Sequence, residues 1–172
     1  MFKFFTPDKL YDNVYQIDFD ELAAKGIKGL IFDIDNTLVS YKQPTPTDEV
    51  VALLQALQEK GFKVCFVSNN TQARVELFNQ ELNLPAFANA KKPLKKYMNL
   101  ALEALKVTPS QTAIIGDQLF TDVCAGKRIK ILTLVVAPIE PVETLFFKVK
   151  RALEKPIIKK YRKLNQSTND KN

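Results

Sequence analysis

The chain of 172 residues contains no histidine. That excludes histidine-based catalytic triads, histidine-ligated zinc and histidine general bases together. Any catalysis must rest on carboxylates, lysine, hydroxyls or a bound metal. Cysteine is nearly as scarce: Cys65 and Cys124 are the two in the chain, and both sit inside apolar segments. Neither a disulfide framework nor a zinc site follows from them, and a reducing compartment is expected. No run approaches the roughly 18 apolar residues of a membrane-spanning helix. The first residues, MFKFFTPDKLYD, hold too few apolar positions before Thr6, Pro7 and Asp8 for a signal sequence. The expected location is cytoplasmic, with peripheral contact at the inner membrane face as an extension.

An apolar fraction of 46% and a charged fraction of 26% are ordinary for a soluble globular chain of one domain. The net charge of +6 is uneven. Residues 1–86 carry 8 basic and 12 acidic side chains; residues 87–172 carry 17 and 7. From Lys148 onward there are nine basic and two acidic residues, a composition that attracts polyanions such as nucleic acid or an anionic bilayer.

The stretch Gly29–Ser40, GLIFDIDNTLVS, organises the rest. Leu30, Ile31 and Phe32 form the continuous apolar run of a buried strand. It ends on two carboxylates, Asp33 and Asp35, which oppose each other's ionisation unless a cation lies between them. Further buried strands are expected at Phe62–Val67, Phe87–Ala90, Thr112–Ile115 and Ile131–Val136. Helices are expected at Phe19–Lys25, from Asp48 to Gly61, at Thr71–Leu82, Leu94–Leu105 and Leu119–Ala125. Strands alternating with helices imply a mostly parallel sheet of five strands, in a Rossmann-like three-layer α/β sandwich. Residues 1–17 show no clear period and are expected to be irregular. The expected organisation is one domain over 1–155, with 1–26 as a lead-in packed on it. A basic tail over 156–172 follows, disordered from Asn165.

Ligands of such a sheet bind beyond the carboxyl ends of its strands. Those ends carry Asp33 and Asp35, Ser68 and Asn69, Lys91 and Lys92, and Asp117 with Asp122 nearby. Carboxylate oxygens suit Mg²⁺, while a lysine and a helix N-terminus suit an anion. Phosphoryl transfer to a carboxylate fits that set. Each residue also has an ordinary use: Asn36 and Thr37 as turn-formers, Ser68 as a helix cap, the lysine pair as surface charge, Asp117 in a turn and Asp122 on a helix face.

Asp33-Ile34-Asp35-Asn36-Thr37, Ser68, Lys92-Pro93 and Gly116-Asp117-Gln118-Leu119-Phe120-Thr121-Asp122 resemble the four ordered motifs of the haloacid dehalogenase (HAD) superfamily of phosphatases. PDKLYDNVYQID and FDIDNTLV further resemble the YqeG group of its subfamily IIIA, which is similar to the mitochondrial phosphatidylglycerophosphate phosphatases. The resemblance implies Asp33 as nucleophile forming an aspartyl-phosphate, and Asp35 as acid and then base. It implies phosphate contacts from Thr37, Ser68, Asn69 and Lys92, with Lys92 preferred to Lys91 because it directly precedes Pro93. Mg²⁺ would be held by Asp33, Asp117 and the backbone carbonyl of Asp35, supported by Asp122.

The gaps between motifs leave no room for a sizeable cap, so an open site and a bulky or membrane-bound phosphomonoester are expected. Soluble substrates such as sugar phosphates, nucleotides or a phosphoprotein are the alternative. A module binding RNA or a partner through the basic C-terminus is the alternative of another class. Val142, Leu145, Phe146, Val149 and Leu153 form an apolar stripe expected to cover the sheet. For residues 157–164, membrane contact, nucleic acid and mere solubility stay open, with nucleic acid not favoured.

Overall fold

The computed structural model describes residues 2–140 and 145–169. Six strands, all parallel, form one sheet in the order β1-β6-β5-β2-β3-β4. They are β1 (Lys9–Tyr11), β2 (Gly29–Phe32), β3 (Lys63–Val67), β4 (Ala86–Phe87), β5 (Thr112–Gly116) and β6 (Leu132–Val136). The helices between and around them are α1 (Phe19–Ala24), α2 (Asp48–Glu59), α3 (Gln72–Asn79), α4 (Lys95–Leu105), α5 (Cys124–Ile129) and α6 (Leu145–Asn169).

Alternation along each strand splits the core between two faces. Leu30 and Phe32 face one side with Val64 and Phe66, against Leu22, Leu54, Leu57 and Phe78. Ile31 faces the other with Cys65 and Ile114, against Met98, Ala101, Leu102 and Leu105 of α4. Phe66 and Phe78 meet edge to face with centroids 5.4 Å apart, which adds to the apolar area they bury. Three helices start where hydroxyl or carboxylate caps predict. Asp18 accepts from the Glu21 N–H, Thr47 from Val50 and Thr71 from Arg74.

The sheet has one strand more than expected. Lys9–Tyr11 adds an edge strand beside β6 within the supposedly irregular lead-in, fastened by Asp8. The Asp8 carboxylate accepts from the Thr133 backbone N–H at 2.8 Å and from the Thr133 hydroxyl at 2.7 Å. Burial opposes the charged form of Asp8, but bonds from Lys127 and Thr133 outweigh it and hold its pKa below the usual carboxylate value.

The C-terminal stripe is also phased differently. Val149 and Leu153 are 54% and 59% exposed, while Glu154 and Ile157 are buried. The described face that packs runs through Glu154, Ile157, Ile158 and Tyr161, turned about one position from Val149 and Leu153. Val142 and the side chains of Leu145 and Phe146 lie outside the described residues. α6 runs on through Pro156 to Asn169, so the boundary expected at residue 156 falls inside a helix, and 165–169 are helical. Among the described residues no helix is long and apolar enough to cross a membrane.

Candidate active site

β2 is flanked by β3, which the chain reaches through α2, and by β5 on the other side, which it reaches from β4 through α4 after reversing direction across the sheet. Such a switch point opens a crevice beyond the strand ends. The crevice here has a volume of about 210 Å³ and is lined by Asp33, Asp35, Tyr41, Ser68, Asn70 and Gln118, among others. No cap domain covers it among the described residues: β3 passes to α3 through residues 68–71, and β2 to α2 through residues 33–47.

Asp33 leaves the end of β2 buried, and its Oδ1 accepts from the Ile34 backbone N–H at 2.9 Å. Lys92, buried beside the cis Lys92–Pro93 bond, brings its Nζ to 3.0 Å from Asp33 and 2.6 Å from Asp122. Lys91, its neighbour, is exposed with φ 51°. The structure therefore separates the two lysines, and Lys92 is the one inside. One oxygen each from Asp33, Asp117 and Asp122 lie within 4.8 Å of one another, and all three residues are buried. A buried triplet of carboxylates next to a single ammonium is a donor set for a hard cation. Burial at this position pushes the Asp33 carboxyl up to about pKa 7. Burial is the main cause and Lys92 opposes it, while Asp122 and Asp117 add to it. Burial also disfavours the Lys92 ammonium, yet Asp122 and Asp33 outweigh it and raise its pKa above the ordinary lysine value.

Asp35 stands apart from that triplet. Its Oδ1 accepts from Arg74 Nε at 3.2 Å and Nη2 at 2.8 Å, and its Oδ2 from Asn70 Nδ2 at 2.8 Å. Arg74 also donates to the Gln43 carbonyl at 2.8 Å and the Pro44 carbonyl at 2.6 Å. One guanidinium thus ties Asp35, the segment after Ser40 and α3 into a unit. Neither Arg74 nor Asn70 was expected. Arg74 reads in the sequence as an exposed helix charge, and only the fold brings it to a carboxylate 39 positions away. Asn70 adjoins Ser68 and Asn69, which was its one available signal.

Ser68 is buried and its hydroxyl accepts from the Asn70 backbone N–H at 3.1 Å. Asn69, expected at the phosphate, engages the Lys92 main chain with both ends of its amide. Its Oδ1 accepts from the Lys92 N–H at 2.6 Å and its Nδ2 donates to the Lys92 carbonyl at 3.3 Å. Thr37 is buried and its hydroxyl has no hydrogen-bond partner among the described residues. Asn36 adopts φ 62° and its side chain accepts from the Glu140 N–H, the work of a turn-former. Asp122 accepts Lys92 on Oδ1 and the Gln118 backbone N–H, at 3.2 Å, on Oδ2.

Comparison with known proteins adds the family. The model for haloacid dehalogenase-like hydrolases matches residues 40–130, a stretch that begins after Asp33 and Asp35. A probable phosphatase, YqeG of Bacillus subtilis (strain 168), is 35% identical over 156 residues, covering 91% of each chain. Phosphatidylglycerophosphate phosphatase 1 (chloroplastic/mitochondrial) of Arabidopsis thaliana is 25% identical over 172 residues, covering 92% of this chain and 49% of that one. A HAD phosphatase from Thermococcus onnurineus shares the fold, with TM-score 0.55 at 14% identity over 69% of this chain and 90% of that one. The chain belongs to the haloacid dehalogenase-like hydrolases.

Proposed function

We propose a Mg²⁺-dependent phosphomonoesterase that works through an aspartyl-phosphate on Asp33. The observation that carries this is the Lys92 ammonium, held 3.0 Å from Asp33 inside a triplet of buried carboxylates. Asp33, Asp117 and the Asp35 carbonyl would hold the cation, with Asp122 supporting them. Bound there, it would neutralise charge on the phosphoryl oxygens and on the nucleophile.

In the first half-reaction a carboxylate oxygen of Asp33 attacks phosphorus, and the bond to the leaving oxygen breaks as Asp35 gives that oxygen a proton. In the second, Asp35 takes a proton from water, whose oxygen attacks phosphorus. The bond to Asp33 then breaks and inorganic phosphate leaves. Lys92, Ser68 and the unpartnered Thr37 hydroxyl supply donors to the phosphoryl oxygens, and Asn69 acts by holding Lys92. Asp35 accepts bonds from Arg74 and Asn70 on both oxygens. Its Oδ2 takes a single bond, from Asn70, and keeps a second lone pair for the proton exchanged with the leaving oxygen.

The substrate we favour is a phospholipid monoester of the phosphatidylglycerophosphate type. Three features support it: the uncapped crevice, the likeness to the Arabidopsis protein, and the outer face of α6. There Val149 and Leu153 are exposed beside Lys148, Lys155, Lys159, Arg162 and Lys163, a composition suited to an anionic surface. The test is a hydrolysis panel of phosphatidylglycerophosphate in vesicles beside soluble sugar phosphates, nucleotides and an aryl phosphate, each with and without Mg²⁺. Preference for the lipid is expected. A soluble phosphomonoester turned over with much higher kcat/KM would overturn the lipid assignment. Mg²⁺-independent turnover would overturn the metal.

A further inference from the structure

α6 lies outside the stretch matched to the family, yet one of its side chains enters the catalytic loop. Glu154 is 1% exposed, and its Oε1 accepts from the Leu119 backbone N–H at 2.9 Å and from that of Phe120 at 3.3 Å. These amides open the π-helical turn Leu119–Val123, whose own cap residue, Gln118, gives it no side-chain cap bond. The first amides of a helical turn lack partners inside it, and leaving them buried and unpaired is costly. Asp122 takes the preceding amide, that of Gln118, from within the loop. Three consecutive N–H groups directly after Asp117 are thus held by two carboxylates, one local and one from 35 positions away. Ile157, one turn along α6, is buried with Leu119, Val123 and Val135 and sets how deeply the helix sits.

We infer that Glu154 is a positioning residue of the phosphatase. It holds segment 117–122 so that Asp117 and Asp122 stand where, with Asp33, they gather a cation and seat Lys92. This rests on the assignment of those residues as the active site. A carboxylate among Ile157, Leu119 and Val123 is an expensive choice if packing were its purpose, since an apolar side chain would fill the space at lower cost. What Glu154 adds over leucine is the acceptor for two amides that begin two positions from Asp117.

The test compares Glu154→Leu, Glu154→Gln and Ile157→Ala in the full chain. Glutamine keeps an acceptor oxygen, leucine keeps only bulk, and the Ile157 variant loosens the helix without touching the amides. Amide exchange by NMR should quicken at Leu119 and Phe120 in Glu154→Leu, by about tenfold or more relative to the strand amides of β2 and β5. The same variant should need about tenfold to a hundredfold more Mg²⁺ for half-maximal activity, or lose kcat by that factor. Glu154→Gln should stay within about threefold of the parent in both. Ile157→Ala should melt earlier while keeping its Mg²⁺ requirement.

Unchanged exchange at Leu119 and Phe120, or an unchanged Mg²⁺ requirement and kcat in Glu154→Leu, would overturn the inference. So would an equal loss of activity in Ile157→Ala. If the leucine variant does not fold, Glu154→Asp, one methylene short of the amides, is expected to show the same losses, and parental behaviour there would overturn it equally. Activity surviving in Asp33→Asn would refute the active-site assignment itself, whatever the Glu154 variants do.

Discussion

Gly116 ends β5 directly before Asp117, and its replacement by alanine tests how tightly the site is built. A Cβ there would lie 2.3 Å from Asp122 Cγ, 2.5 Å from its Oδ2 and 2.6 Å from its Cβ. Unstrained carbon contacts need about 3.5–4.0 Å, so the carboxyl must withdraw by roughly an ångström or more. Asp122 cannot do so freely, because Lys92 holds it at 2.6 Å and the Gln118 N–H at 3.2 Å. Overpacking costs about 1–3 kcal/mol, and losing a charge-assisted bond about 1.5–3 kcal/mol more.

At roughly 2–4 °C per kcal/mol for a chain of this size, Gly116→Ala should melt at least about 5 °C below the parent. A displacement of that size at the site should lower kcat by about a hundredfold. Gly61→Ala is the control: its φ of +89° makes alanine strained, but a Cβ there meets nothing within 4 Å. It should lose stability and keep kcat. The assays are steady-state hydrolysis of an aryl phosphate and thermal melting of both variants. Parental kcat in a folded Gly116→Ala enzyme would refute the packing argument.

Arg74→Ala should lower kcat by about tenfold or more, and by a factor that grows with the pKa of the leaving alcohol, as expected when the proton donor is mispositioned. Arg74→Lys should not restore it, because a point charge cannot serve Asp35, Gln43 and Pro44 together. An alcohol series read out as a Brønsted plot checks both. Mg²⁺ should raise the melting temperature of the parent in a concentration-dependent way, worth about 2.7 kcal/mol at a hundredfold excess over Kd. Asp117→Asn should abolish that response in thermal-shift titrations. The lowered pKa of Asp8 means its stabilisation is present above the ordinary value of 3.8 and is lost as pH falls through the folded value. Asp8→Asn should therefore be less stable than the parent at pH 7, by no more than about 1–2 kcal/mol for a side chain so exposed. Denaturant unfolding should show the gap closing below pH 4.

The sheet was legible because its central strands are apolar runs broken by polar ends. The motif residues followed because each sits at such an end. β1 was not legible, since three half-buried residues carry no period and gain their place from Asp8 bonding across to β6. The phase of α6 was misleading for a physical reason: its buried face includes Glu154, which a hydrophobic pattern discards, while Val149 and Leu153 stay exposed. Arg74 and Asn69 illustrate the same limit at the site. Their partners, Asp35 and the Lys92 main chain, are distant in sequence, so no local pattern shows either bond, although Asn69 stands out by its place at a strand end.

The central claim is that Asp33 becomes phosphorylated, and borohydride trapping tests it most directly. Enzyme quenched during turnover and reduced should show homoserine in place of aspartate at residue 33 by peptide mass spectrometry, dependent on both substrate and Mg²⁺. Reduction at Asp35 or Asp117 instead, or no reduced residue under conditions of steady turnover, would contradict it.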